Sequence, residues 1–191
     1  MKGFGTDEAP IIEIFGSRTN EQLRAVSLQF KTMYGKDLEK DLRSEISGNF
    51  RKVVCGRLKA PADYDAWCLF KAMDGAGTNE ACLIEILSTR TNAEIKAIKQ
   101  AYRMKRGKNL EDAVMSETSG HFKRLLVSLL QANRDENPNV DMALAKKDAE
   151  DLYAAGEGKW GTDESTFNKI LVSRSPRHLN GTQAHTWTIL G

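Results

Sequence analysis

The chain has 191 residues, 28% of them charged and 40% hydrophobic, with a formal net charge of +2. That length suffices for a substantial core, as one domain or a short array of smaller units, while the balanced charge excludes the strong basic excess that grips a nucleic-acid backbone. No run is long and apolar enough to cross a bilayer, since Leu125 to Leu130 is flanked by Arg124 and Gln131, and no charged segment followed by an apolar one opens the chain.

Three cysteines, Cys55, Cys68 and Cys82, form neither a Cys-x-x-Cys pair nor a zinc-like spacing with histidine. They read as reduced thiols of a reducing compartment.

In chain order, a Gly-rich loop comes first, Gly3-Phe4-Gly5-Thr6. Thr6 is expected to cap a helix with Asp7 and Glu8 in its first turn and Ile11, Ile12, Ile14 and Phe15 as its apolar stripe. Thr19-x-x-Gln22 has capping-box spacing and opens a second helix with apolar positions Leu23, Val26 and Phe30, closed by Gly35 as a C-cap. A short third helix follows from Leu38, and Gly48 precedes a fourth that contains Phe50, Val53 and Val54. A further helix, roughly 62–72 with Trp67 and Phe70 as anchors, leads into a second Gly-rich loop, Gly75-Ala76-Gly77-Thr78.

From here the order repeats. Residue 1 falls on residue 73, a shift of 72, and 22 of the first 54 positions are identical in the two copies. Thr91-x-x-Glu94 repeats the capping box, Ile95, Ile98 and Tyr102 the stripe, Gly107 the C-cap, and Leu110 and Gly120 the starts of the last two helices. A third copy begins at Gly161-Thr162-Asp163-Glu164, displaced by 84 residues, the excess lying in the polar stretch Ala132 to Asp141. The expected organisation is repeat 1 over 1–60 with its first helix missing, repeat 2 over 61–132, a linker over 133–141, part of repeat 3 over 142–179, and a divergent tail over 180–191. After Leu179 the apolar period of a second helix is not visible, and the rest of the third repeat and any fourth are expected to be absent.

Two glycines one position apart allow a loop to turn successive carbonyl oxygens toward one point, and calcium takes six to eight oxygen ligands at loosely defined angles. A carboxylate recurs at one spacing from each loop: Glu45 lies 44 residues after Met1, and Glu117 lies 44 after Met73. A loop that only capped a helix would need no such distant acid. No Gly-x-x-x-x-Gly-Lys-Ser/Thr cradle is present, and Asp135 to Asp141 lacks the central glycine and final glutamate of an EF-hand loop.

The segments MKGFGTDE, AMDGAGTNE and AGEGKWGTDE, the pair SEISGNF and SETSGHF, and LLQANRD together resemble the annexin signature from Met1 to about Leu179. The resemblance implies an all-α fold, a right-handed superhelical array of five-helix repeats, here truncated, within a curved disc of four repeats whose convex face carries calcium loops. It implies calcium-dependent binding to anionic, phosphatidylserine-like phospholipid membranes, no nucleic acid, no enzymatic activity, and a cytoplasmic protein peripheral on the cytosolic face.

Carried over by position, the first calcium site would use the carbonyls of Met1, Gly3 and Gly5 with Glu45, and the second those of Met73, Gly75 and Gly77 with Glu117. The third would use Gly156, Lys159 and Gly161, with Trp160 exposed at the loop tip to meet the lipid. Asp65, Glu85 and Arg90 resemble the charged lining of a hydrophilic channel, with Glu13 and Arg18 repeating the last two, although buried ion pairs would use the same residues and Cys68 stands where the family carries a further acid. A calcium-independent helical scaffold for protein binding is the alternative function. His178 and His185 have no acid or thiol at a catalytic spacing and are assigned to the tail.

Overall fold

A computed structural model describes residues 6–190, with side chains through Thr186. Twelve α-helices and no strand occur among the described residues: α1 (Ala9–Ser17), α2 (Asn20–Tyr34), α3 (Leu38–Glu45), α4 (Gly48–Arg57), α5 (Pro61–Ala72), α6 (Glu80–Thr89), α7 (Asn92–Arg106), α8 (Leu110–Glu117), α9 (Gly120–Leu129), α10 (Met142–Ala155), α11 (Glu164–Ser173) and α12 (Pro176–Leu190). None is long and apolar enough to cross a membrane. The chain divides into two compact units, one up to Asp65 and one from Ala66 on.

In the first unit the core is Leu23, Leu38, Leu42, Ile46, Val54 and Leu58, with Ile11, Ile14, Phe15, Phe30 and Phe50 packed against it. The capping box at Thr19 is formed in both directions, and Gly35 closes α2 in the left-handed region at φ 67°. Val26, expected on the apolar stripe, is 37% exposed, and no residue of α1 is buried.

The second unit holds the four helices α6 to α9 in the order of α1 to α4, with fuller burial: Leu83, Leu87, Ile95, Ile98, Leu110, Val114, Leu126 and Leu130 are each 2% exposed or less. The Thr91 box and the Gly107 cap (φ 68°) reproduce their first-unit counterparts. Lys99 Nζ donates to the Leu130 carbonyl at 2.9 Å, a cation placed on the negative end of α9.

The polar stretch between α9 and α10 is anchored at Arg134. Its guanidinium donates to the carbonyls of Ser88 (2.6 Å) and Leu171 (2.8 Å), while Asn92 exchanges two hydrogen bonds with the Arg134 main chain. One side chain thereby ties the end of α6 to α11. Burial lowers the Arg134 pKa, so these two carbonyls must compensate for lost hydration.

The stretch from residue 180 on, which shows no apolar period in sequence, is helical: α12 continues unbroken to Leu190. It packs on α10 through small and polar groups, with Ala145 Cβ 3.7 Å from where a Cβ on Gly181 would lie and Thr182 2% exposed, so no apolar period marks it. His178 is accordingly not a loose tail residue: it is 4% exposed, its Nε2 is 3.0 Å from Asp148 Oδ2, and Arg174 grips both oxygens of that carboxylate at 2.6 and 2.9 Å.

Candidate metal centre in the interhelical loops

Thr6 does not cap α1. Its hydroxyl donates to the Glu45 carbonyl at 2.8 Å, the N-cap position falls to Glu8, and Asp7 Oδ1 accepts from the Ala9 amide. Thr78 does the same in the second unit, donating to the Glu117 carbonyl at 3.0 Å, and the N-cap there is Asn79, whose side chain accepts from the Cys82 amide. Both bonds span 39 residues, so in each unit the threonine that follows the Gly-rich segment is tethered to the turn that carries the distant acid.

The loop after α5 closes on itself through the Asn79 amide, which donates to the Ala72 carbonyl at 2.7 Å, and the loop after α10 through Asp163 and Ala155 at the same distance. Gly75, Gly77 and Gly161 have φ of 115°, 86° and 87°, values that a side chain disfavours. Nothing lies within 4 Å of a Cβ built on any of the three, so the need for glycine there is conformational, not steric.

Met73, Gly75 and Glu117 line one cleft of about 890 Å³, with Met73 buried and Glu117 exposed. Gly77 belongs to the same loop but is not among the lining residues. The donor set suits a hard cation: neutral carbonyls on a turned loop facing a single carboxylate. Among the described residues no three His, Cys, Asp or Glu side chains gather at metal distance, so a carboxylate-rich cage is not the arrangement on offer.

At the third loop, Gly156 and Lys159 line a cleft of about 490 Å³, Gly161 lies outside it, and Trp160 is wholly exposed at the tip. Met1, Gly3 and Gly5 lie outside the described residues, so of the first site only Glu45 and its tether are in view. Asp65 is 6% exposed and Cys68 partly buried; Arg90 Nη1 donates to Thr89 Oγ1 at 3.1 Å and Glu85 is exposed.

The second cleft also contains residues the sequence did not single out: Arg103, Arg106 and Lys108 join its lining, and the Arg106 guanidinium lies 3.5 Å from the Phe70 ring centroid. No motif marks them. The loop threonine could have been found, because Thr6 and Thr78 stand at one spacing from Glu45 and Glu117.

Helical repeats in which the threonine ending a Gly-rich segment, Thr6 or Thr78, bonds the turn that bears a distant acid define a class, and the comparisons agree on which. The annexin family model matches residues 1–56, 64–129 and 147–185, and the chain belongs to the annexin family. It is 56% identical over 179 residues to rabbit (Oryctolagus cuniculus) annexin A11, covering 94% of this chain and 36% of that protein. Among solved structures it is similar to chicken annexin V in complex with Zn2+ (TM-score 0.87, 51% identity, all of this chain and 60% of that one). It is also similar to calcium-bound annexin (Sm)1 (TM-score 0.81, 33% identity, 98% and 57%). The chain thus spans roughly a third of annexin A11 and under two thirds of either structure.

Proposed function

We propose that this chain attaches to anionic phospholipid surfaces through calcium held by its Gly-rich loops and their distant carboxylates, as a peripheral protein on the cytosolic face. The observation that carries the reading is the meeting of Met73, Gly75 and Glu117 on one cleft, with Thr78 fastening the loop to the Glu117 turn. Membership of the annexin family and the likeness to a calcium-bound annexin support it.

In the second site the carbonyls of Met73, Gly75 and Gly77 and the Glu117 carboxylate would hold the ion; Gly156, Lys159 and Gly161 would offer carbonyls in the third, and Glu45 the acid of the first. When bound, calcium supplies a positive centre to which a lipid phosphate oxygen can be the remaining ligand. One carboxylate with a few carbonyls is a weak set, of the kind associated with Kd of about 10⁻⁴ to 10⁻³ M. Membrane and ion must therefore bind with positive, reciprocal coupling. Trp160, exposed beside Lys159, is placed to enter the lipid interface.

Calorimetric calcium titration with and without phosphatidylserine vesicles tests this. Apparent affinity should rise at least tenfold with vesicles; equal affinity in both would favour a calcium-independent protein-binding scaffold.

A further inference from the structure

We propose that Cys68 and Cys82 are a dithiol that a hydroperoxide oxidises to an intrachain disulfide, stapling α5 to α6 across the base of the second Gly-rich loop. Both are present as thiols, and the Cys82 Sγ–H donates to the Cys68 carbonyl at 3.8 Å. The loop between them closes where the Asn79 amide meets the Ala72 carbonyl. Cys68 lies four residues before Ala72, and Cys82 three after Asn79. Three or four residues make one helical turn, so each cysteine stands one turn out from the closing bond on its own helix.

The third copy repeats this arrangement with other residues. Its loop closes between Ala155 and Asp163, and the corresponding positions, Asp151 and Thr166, line one cleft of about 390 Å³. The two positions therefore face each other across the helix pair. A rotation of the cysteine side chains and a small approach of the two helix ends complete the geometry that a disulfide requires.

Both thiols are partly exposed, so a small peroxide can reach them. Cys82 is the third residue of α6, where the helix dipole favours an anion, and it is the sulfur that reacts first. Its thiolate attacks one peroxide oxygen, the O–O bond breaks, and hydroxide leaves with the proton lost by the thiol as water. The resulting sulfenic acid is then attacked by the Cys68 sulfur. The S–O bond breaks, the S–S bond forms, and the second hydroxide takes the Cys68 proton to give water. Two thiols and one hydrogen peroxide thus yield one disulfide and two waters. Cys55 is an internal control, since it is 2% exposed and burial pushes its thiol up.

A role as small apolar filler would explain either cysteine singly. It does not explain why two of the three cysteines in the chain meet on opposite walls of one loop. The staple holds the ends of the loop and not its carbonyls, so it stands or falls separately from the calcium reading.

The test treats the full chain with hydrogen peroxide, blocks the remaining thiols, and digests it with trypsin without reductant. Cleavage after Lys71 puts the two cysteines on separate peptides, 60–71 and 72–90. The monomer should lose about 2 Da, these two peptides should be linked, Cys55 should remain blockable, and dithiothreitol should restore the starting mass. In the oxidised chain the Asn79 amide, read by NMR, should exchange with deuterium at least about fivefold more slowly than in the reduced one. Cys68→Ser should prevent both effects and leave a sulfenic acid at Cys82 that dimedone traps, and Cys82→Ser should prevent the link as well. Peptides 60–71 and 72–90 that stay unlinked while Cys55 or either thiol is oxidised further would overturn the inference. So would a link found only between two copies of the chain, or an Asn79 amide whose exchange the bond does not slow.

Discussion

Thr78 donates its hydroxyl to the main-chain carbonyl of Glu117 at 3.0 Å, and this bond joins a loop to an acid 39 residues away. The same bond links Thr6 and Glu45 at 2.8 Å. A carboxylate on an exposed turn is a useful ligand only if the turn stays beside the loop. Thr78→Val keeps the shape and removes the donor. It should cost about 1 kcal/mol of stability at most, yet raise the calcium needed for half-maximal vesicle binding several-fold. A calcium requirement that moves no further than in Thr32→Val, a control whose hydroxyl bonds only the Leu28 carbonyl of its own helix, would make the bond a packing detail.

Ranking the sites gives a second prediction. Glu117→Gln preserves size but removes charge from the site with a buried loop residue, Met73, and a formed cleft. It should raise the calcium requirement roughly tenfold, near 1.4 kcal/mol. Glu45→Gln should raise it less. The reverse order, read by vesicle sedimentation, would transfer the main site to the first loop.

Trp160 is wholly exposed, whereas Trp67 is 39% exposed on α5. Calcium and anionic vesicles together should shift tryptophan emission to the blue, and Trp160→Ala should remove most of that shift and weaken binding a few-fold. A shift that is unchanged in Trp160→Ala would place the third loop away from the lipid.

The buried carboxylate of Asp148 yields a pH prediction. Burial works to raise its pKa, but the hydrogen bonds and charges of Arg174 and His178 outweigh that and hold it below the ordinary 3.8. The unfolded chain then binds the more protons, so this stabilisation is full above the unfolded pKa and is lost as pH falls through the folded value. Thermal midpoints should be flat near neutrality and drop below about pH 4. Asp148→Asn should cost on the order of 3 kcal/mol at neutral pH and flatten the acid drop. An unchanged acid profile in that variant would mean that other carboxylates govern it.

Much of this fold was legible because repetition tests each local signal twice. The boxes at Thr19 and Thr91 and the caps at Gly35 and Gly107 depend only on near neighbours in sequence, and they formed as expected. Thr6 was misread as a cap because a threonine before a helix offers the same hydroxyl whether it bonds the nearby amide or a distant carbonyl. The order of α12 was invisible because polar and small residues, His178, Gly181 and Thr182, face α10 where an apolar stripe was sought. That the second loop and Glu117 share a cleft was readable from their spacing. The basic wall was not, since Arg106 meets Phe70 only through the packing of α7 against α5.

The most direct test of calcium-mediated attachment compares chelation with salt on vesicle-bound protein. With a net charge of only +2, the chain gains little from a negative surface without the ion. EGTA should release nearly all of the protein from phosphatidylserine vesicles, while high salt in the presence of calcium should leave most of it bound. Protein that stays on the membrane in EGTA but leaves in high salt would contradict the mechanism and assign attachment to the basic side chains.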